Sequence, residues 1–340
     1  MIKNSKYSSP FITDHNVTFL WEGPHCPMLI GDFNLWDIQK AIPLESKNTT
    51  IWETTLAFPP DAYIEYCFIV DGCRTLDPKN PRKVRNGTGG VNNYFYMPQA
   101  APSPYLKPRK LRGRVLHYSI RDELRLSNPS RKIILYQPDA PGPYPLLVVF
   151  DGKEYLERAR IISIIENLLE DQKIRPVALA LIPNAGTSRF VEYACNDSTV
   201  SFVVNRVLPL AQENLNLLDI RRNPGAYAIM GASMGGTMAL YVALRHPEIF
   251  GKVISQGGAF RLFDEDFSIF EMVDRPFVPP IQIWMDVGRF DFVYEANQRI
   301  HHILVKKGYN VAYREVNGGH NYTTWRNDLP NGLMRLFSFE

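Results

Sequence analysis

The stretch AYAIMGASMGGTMALYVALRHPE (226–248) constrains the fold more than any other part of the chain. An apolar run of strand length meets a periodic, helix-like segment, with only Gly231-Ala232-Ser233-Met234-Gly235 between them. Glycines on either side of a serine suit a tight turn. Placed between a strand and a helix, they suit the strained turn that lifts a hydroxyl clear of a sheet. Gly231 and Gly235 carry no Cβ to block the close approach of strand and helix. The helix start behind Ser233 supplies free N–H groups and a positive dipole end, useful where a carbonyl oxygen becomes an oxyanion. The competing reading is a serine that merely caps a helix.

The sequence around this turn alternates strands and helices. RVLHYSI and RKIILYQP read as an opening antiparallel pair, and PLLVVFD as a strand buried on both faces. Then come a helix at RIISIIENLLEDQ, strand VALALIP, a helix near TVSFVVNRVLPLAQENL and strand AYAIM. After the serine turn and its helix follow strands KVISQ and IQIWMDV, helix YEANQRIHHILVKK, strand VAYREV and a closing helix TTWRNDLPNGLMRLF. Such alternation predicts a mostly parallel sheet with helices on both faces. From Val17 to about Met97 the pattern differs. VTFLWEG, PMLIGDFN, IWETTLAF and AYIEYCFIV are short strands separated by turn residues, which predicts a small all-β sandwich. MPQAAPSPYLKPRK, with four prolines, reads as a stiff linker. The expected division is 1–104 for the β domain and 105–340 for the α/β domain.

A nucleophilic serine needs a base and an acid. Of the seven histidines, His15 and His25 fall in the β domain and His117 in an opening strand. His246 sits at a helix end, and His301 and His302 lie inside a helix. His320, in VNGGHNYTTW, follows the last strand and precedes the last helix, at the carboxyl edge where parallel sheets place their sites. The two glycines before it are expected to let the loop bend tightly. The acid belongs after the preceding strand, where IWMDVGRFDFVYEA offers Asp286 and Asp291. Asp286 reads as the end of the strand and Asp291 as a loop residue better able to reach His320, although Asp291 also suits a helix N-cap. The oxyanion donors are expected to be the N–H of Met234 and that of Lys153, after the strand ending VVFDGKEY.

On VVFDGKEY, RFVEYACN, GASMGG, VGRFD and GGHNYTTWR, the chain resembles the enterochelin esterase family, whose members carry a β-sandwich before an α/β-hydrolase domain. The resemblance implies that Ser233, Asp291 and His320 are nucleophile, acid and base, with Met234 and Lys153 as oxyanion donors. On LIGDFNLWD, AYIEYCFIVDG, TLDPKNP and GGVNNYFYMP, the N-terminal half is similar to glycogen-binding early-set domains of immunoglobulin-like fold. That likeness implies sugar contacts at Trp36, Asn92 and Asn93. Cys67 stands where the sugar-binding lysine is usual, and Arg74 where the second tryptophan is usual. The expected role of the β domain is therefore to shape the hydrolase site, with glucan affinity no tighter than about millimolar.

These readings converge on a serine esterase acting on a small-molecule ester without metal or organic cofactor. An acyltransferase, thioesterase or peptidase on the same residues is the alternative, or a glucan-binding protein with an inactive hydrolase domain. Arg189 and Arg289 are candidates for meeting an anionic or phenolic acyl group. A net charge of +3 without a basic cluster argues against nucleic acid. No run is long enough to span a membrane, and the N-terminus has no apolar leader, which predicts a cytoplasmic protein. Cys26, Cys67, Cys73 and Cys195 lack metal-ligand spacing, and a turn at Asp71-Gly72 would pair Cys73 with Val70 rather than Cys67. Reduced thiols are expected. Nothing in the sequence sets an oligomeric state.

Overall fold

Strands rich in aromatic and β-branched residues form two antiparallel sheets in the first part of the chain. One holds, in spatial order, Phe11–Thr13, Asn16–Glu22, Ile51–Ala57 and Glu45–Ser46. The other holds Ile42–Pro43, Met28–Gly31, Tyr63–Val70, Val91–Tyr96 and Lys83–Arg85, with Cys73–Thr75 also on Tyr63–Val70. Period-two alternation sends Val17 and Phe19 inward, where they pack with Leu29, Ile64, Tyr66, Phe68 and Phe95. Asp71 and Gly72 take positive φ (50° and 75°), the geometry of a two-residue hairpin turn, and Val70 pairs with Cys73. All four cysteines are free thiols.

This computed structural model describes residues 9–87, 89–107, 109, 111–121 and 130–339. Residues 1–8, part of the stretch read above for a leader, lie outside the described residues, as do Pro108 and Lys110 of the linker.

The second part of the chain is built on eight strands: β1 (Arg114–Arg121), β2 (Ser130–Gln137), β3 (Leu146–Phe150), β4 (Ala178–Ile182), β5 (Tyr227–Ala232), β6 (Phe250–Gln256), β7 (Gln282–Phe290) and β8 (Asn310–Gly319). Their order is β1-β2-β4-β3-β5-β6-β7-β8. β1, β2 and β4 pair antiparallel, and the pairs β4/β3, β3/β5, β5/β6 and β6/β7 are parallel. β3, β4 and β5 are buried along their whole length, as unbroken apolar runs in a covered parallel sheet should be. The helices labelled here are α1 (Gly152–Glu157), α2 (Ile161–Glu170), α3 (Met234–Arg245), α4 (Tyr294–Lys307) and α5 (Tyr322–Phe337). α2 buries Ile161, Ile164, Ile165 and Leu168 on one stripe. The helical stretch Asp197–Asn214 contains a π-turn over Val203–Val207. Pro209 lacks an N–H and crowds the carbonyl four residues back, which widens the ladder at that point.

The chain groups into two compact units. One comprises the described residues up to Pro102 together with 288–292 and 315–324; the other comprises 103–287, 293–314 and 325–339. The ends of β7 and β8, and the residues just after them, thus belong to the β-sandwich unit. Phe290 packs on that unit's core, its ring 6.1 Å from Phe58, and Asn317 Nδ2 donates to Asp61 at 2.7 Å.

Two strand ends differ from the sequence reading. β7 continues four residues past Asp286, so Asp286 is an interior strand residue rather than the strand's end. β8 runs through Gly318 and Gly319, neither of which has positive φ. These glycines serve close approach rather than a tight bend. A Cβ on Gly318 would lie 2.5 Å from Thr324 Oγ1, and one on Gly288 would lie 2.1 Å from the Gly318 carbonyl oxygen.

Candidate active site

Within the α/β unit, β5 ends on Ala232 and α3 starts on Met234, so a single residue turns the chain. Ser233 adopts φ 57° and ψ −128°, a conformation that costs a non-glycine residue about 1–3 kcal/mol. Its surroundings hold it there. The Ser233 N–H donates to Gln256 O at 2.9 Å, and its carbonyl accepts from the N–H of Gly236 and Ala259 at 2.9 and 3.1 Å. A Cβ on Gly231 would fall 2.4 Å from Gly235 backbone atoms, and one on Gly236 would fall 2.7 Å from Ser255 Oγ. Close approach explains the glycines around Ser233.

Met234 opens the first turn of α3, where N–H groups have no partner within the helix. Lys153 is the second residue of α1, after Asp151 (φ 52°) and Gly152, and so also lies in a first turn. Gly152 lies flat on β4, since a Cβ there would be 2.5 Å from the Ile182 nitrogen. Arg189 ties these two segments together. Its Nε and Nη2 donate to Asp151 Oδ1 and Oδ2 at 2.7 and 2.6 Å, and Nη2 reaches the Ala232 carbonyl at 3.2 Å. Asn184 Nδ2 donates to the same carboxylate at 2.9 Å, and the Tyr193 ring lies 5.1 Å beneath the guanidinium. Arg189, read from sequence as a substrate contact, is therefore engaged by Asp151.

Asp286 is fully buried in the same unit and accepts from Gln256 Nε2 and Trp284 Nε1, both at 2.9 Å. Burial first, and the charge of Asp328 second, push its carboxyl well above the ordinary range. The Gln256 side chain also accepts from the Tyr155 hydroxyl at 2.9 Å and donates to Trp325 O at 2.9 Å. This network underlies the strand end that carries the Ser233 hydrogen bond.

Within the β-sandwich unit lie the other two predicted residues. Asp291 and His320 meet, with His320 Nδ1 at 2.9 Å from both carboxylate oxygens. The Asp291 side chain is fully buried and that of His320 is 18% exposed. A carboxylate only accepts, so Nδ1 carries the proton. The Phe292 ring stands 4.4 Å from the imidazole. Arg289 pairs with Glu315 at 3.2 Å on the surface.

The three residues read as sugar contacts have partners inside this unit. Asn93 is fully buried, accepting from the Asp77 N–H at 2.8 Å and donating to Asn80 O at 3.0 Å. Asn92 donates to Glu65 Oε2 at 2.6 Å and accepts from Arg74. The Arg74 guanidinium covers the Trp36 ring at 4.7 Å, and Trp36 Nε1 donates to Asp32 at 2.9 Å. Two residues went unnoticed in the sequence. Asp32 lies in LIGDFNLWD, a stretch that signals the β-sandwich and nothing about ester chemistry. Asn321 accepts from the Thr324 N–H at 2.9 Å, and an asparagine just ahead of a helix is a readable cap signal.

Among the described residues, no group of three His, Cys, Asp or Glu side chains could hold a metal, and no helix is long and apolar enough to cross a membrane.

A mostly parallel sheet whose fifth strand ends in a Gly-x-Ser-x-Gly elbow ahead of a helix defines an α/β hydrolase. The family described as "Putative esterase" matches residues 126–336, and that of the glycogen recognition site of AMP-activated protein kinase matches 15–102. The chain belongs to the first of these families, and its chemistry is the hydrolysis of carboxylic esters. It is 26% identical over 322 residues to the iron(III) enterobactin esterase of Escherichia coli O6:H1, covering 85% of this chain and 80% of that one. The crystal structure of the ferric enterobactin esterase from Salmonella typhimurium superposes with a TM-score of 0.81 at 23% identity, covering 96% of this chain and 94% of that one. A ferulic acid esterase matches with a TM-score of 0.57 at 16% identity, over 67% of this chain and 99% of its own. These two likenesses establish the fold.

Proposed function

We propose that the chain is a serine esterase working through a covalent acyl-enzyme. Ser233 attacks the ester carbonyl while His320 takes the hydroxyl proton at Nε2, and Asp291 holds the Nδ1–H. The N–H groups of Met234 and Lys153 stabilise the oxyanion. His320 returns the proton to the departing alcohol, then activates the water that releases the acid and frees the serine. The observation that carries this reading is the Ser233 backbone, held at φ 57° and ψ −128° at a helix start. A serine that only caps a helix has ordinary extended φ and bonds a first-turn N–H through its side chain; Ser233 makes no such cap bond.

For substrate we propose a catecholate siderophore ester of the enterobactin class. The support is extent: similarity to the Escherichia coli enterobactin esterase covers 85% of this chain, whereas the ferulic acid esterase covers 67%. The free thiols suit a reducing compartment, and we assign the enzyme to the cytoplasm. We place the end of the β domain at Pro104, and we read that domain as serving the ester chemistry rather than gripping glucan.

Three measurements test the reading. Fluorophosphonate should label Ser233 and nothing else. Ser233→Ala should lower ester hydrolysis on the order of 10⁴-fold or more in a folded protein; retention of about a tenth of the turnover refutes the nucleophile. Iron(III) enterobactin should be cleaved with higher kcat/KM than feruloyl, 4-nitrophenyl, thioester or peptide substrates. A thioester or peptide in first place would favour the alternative chemistries.

A further inference from the structure

Asp32 is a buried acid that the ester chemistry does not use. It starts a single 3-10 turn, Asp32–Asn34, directly after the strand Met28–Gly31 of the β-sandwich. Every polar partner is placed. Oδ1 accepts from Trp36 Nε1 at 2.9 Å, and Oδ2 accepts from the Glu65 N–H at 2.8 Å and, more weakly, from Asn321 Nδ2 at 3.4 Å. The carboxyl also lies directly over Gly319. A Cβ on that glycine would be 2.2 Å from Asp32 Cγ and 2.3 and 2.7 Å from its two oxygens. Gly319 does not have positive φ, so its backbone conformation does not demand glycine; the carboxyl above it does.

Gly319 and Asn321 are the two neighbours of His320. One carboxyl group from the β-sandwich therefore touches the chain on both sides of the histidine that bonds Asp291. Glu65, a second buried acid, braces it in turn. Its N–H donates to Asp32 while its own carboxylate accepts from Tyr63 and Asn92 at 3.0 and 2.6 Å. A buried acid is costly to keep where an apolar residue would fill the space as well. This one stands against the two residues that flank an imidazole whose Nε2 must be aimed to within a fraction of an ångström.

We infer that Asp32 is a positioning residue for the general base: it fixes Gly319 and Asn321 so that the His320 ring stays on Asp291, making the β-sandwich part of the catalytic apparatus. The inference rests on the assignment of His320 as base.

The test uses the full-length protein and a small neutral ester, with circular dichroism confirming that each variant is folded. His320→Ala is the reference; an active His320→Ala enzyme would overturn the base assignment itself. With that variant inactive, Asp32→Ala should lower kcat about tenfold to a hundredfold with KM changed by less than about twofold. Gly319→Ala, which drives a methyl into the carboxyl, should do the same. The double variant, in which the space is vacated, should be no worse than Asp32→Ala alone, a non-additivity expected only of groups in contact. The low-field proton resonance of the His320–Asp291 hydrogen bond should broaden or move in both single variants. Asp32→Asn keeps the size and one acceptor, so it should fold where Asp32→Ala does not, and show a smaller loss of kcat. Folded single variants with wild-type kcat and an unmoved resonance would overturn the proposal while leaving the esterase reading intact, as would losses that simply add.

Discussion

Arg189→Ala separates two roles for one residue, and the structure sets the size of the effect. An arginine that only greets an acyl group can be removed without disturbing the fold. This guanidinium instead makes two charge-assisted bonds to Asp151, at 2.7 and 2.6 Å, and one to the Ala232 carbonyl at 3.2 Å. The Asp151 side chain is 1% exposed, and Arg189 is 22% exposed. Breaking a fully buried pair costs about 3–5 kcal/mol; because water can reach one side of this one, about 2–3 kcal/mol is expected. At roughly 2–4 °C per kcal/mol for a unit of this size, the melting temperature should fall by about 4–12 °C. Activity falls with it, because Asp151 leads into Lys153 and Ala232 into Ser233. Loosening by about 1 Å the two segments proposed to hold the oxyanion should cost about 10²-fold in kcat, within the 10²–10³ attached to losing one donor outright. The assay compares neutral 4-nitrophenyl acetate with the anionic 4-nitrophenyl hemisuccinate. A scaffold role lowers kcat on both esters. Adding Asp151→Asn should recover part of the stability, since an amide leaves no buried charge unpaired. A folded Arg189→Ala enzyme with wild-type melting and kcat, altered only in KM for the anionic ester, would refute the reasoning.

Asp291→Asn should lower kcat on the order of 10²–10⁴-fold by depriving His320 of its acceptor, whereas Asp286→Asn should stay within about tenfold of wild type; the reverse ranking in folded proteins would exchange their roles. Burial raises the Asp286 carboxyl above its unfolded value, so its contribution to stability is complete at acid pH and lost as pH rises through the raised value. Urea titrations across pH should show that decline in the wild type and a flatter curve for Asp286→Asn. A chain beginning at Ser103 loses Asp32, Phe58 and Asp61, which partner segments 288–292 and 315–324. Its kcat should drop by about 10² or more on every ester, measured against the full chain; a mere change of preference would argue that these segments hold their geometry unaided. Calorimetry of the full-length protein with maltoheptaose should find no binding tighter than about millimolar, because Arg74 covers Trp36 and the Asn92 and Asn93 amides are turned inward.

What could be read from the residues was whatever short-range physics dictates. Unbroken apolar runs became β3 and β5, helical spacing became α2, and glycines around Ser233 became a one-residue elbow, because each is set by contacts within a few residues or by a periodicity. The placement of Ser233, Asp291 and His320 just after strands was visible for the same reason. Distances across the chain were not visible. That Asp291 meets His320 while Asp286 lies under Gln256 depended on how far β7 extends, and strand length is decided by neighbouring strands. The partner of Arg189 could not be read, because nothing local announces Asp151, which lies 38 positions away. Asp32, within LIGDFNLWD, spoke only for the β-sandwich. Its meaning comes from lying against Gly319 and Asn321, nearly the length of the chain from it, and only the tertiary fold brings those residues together.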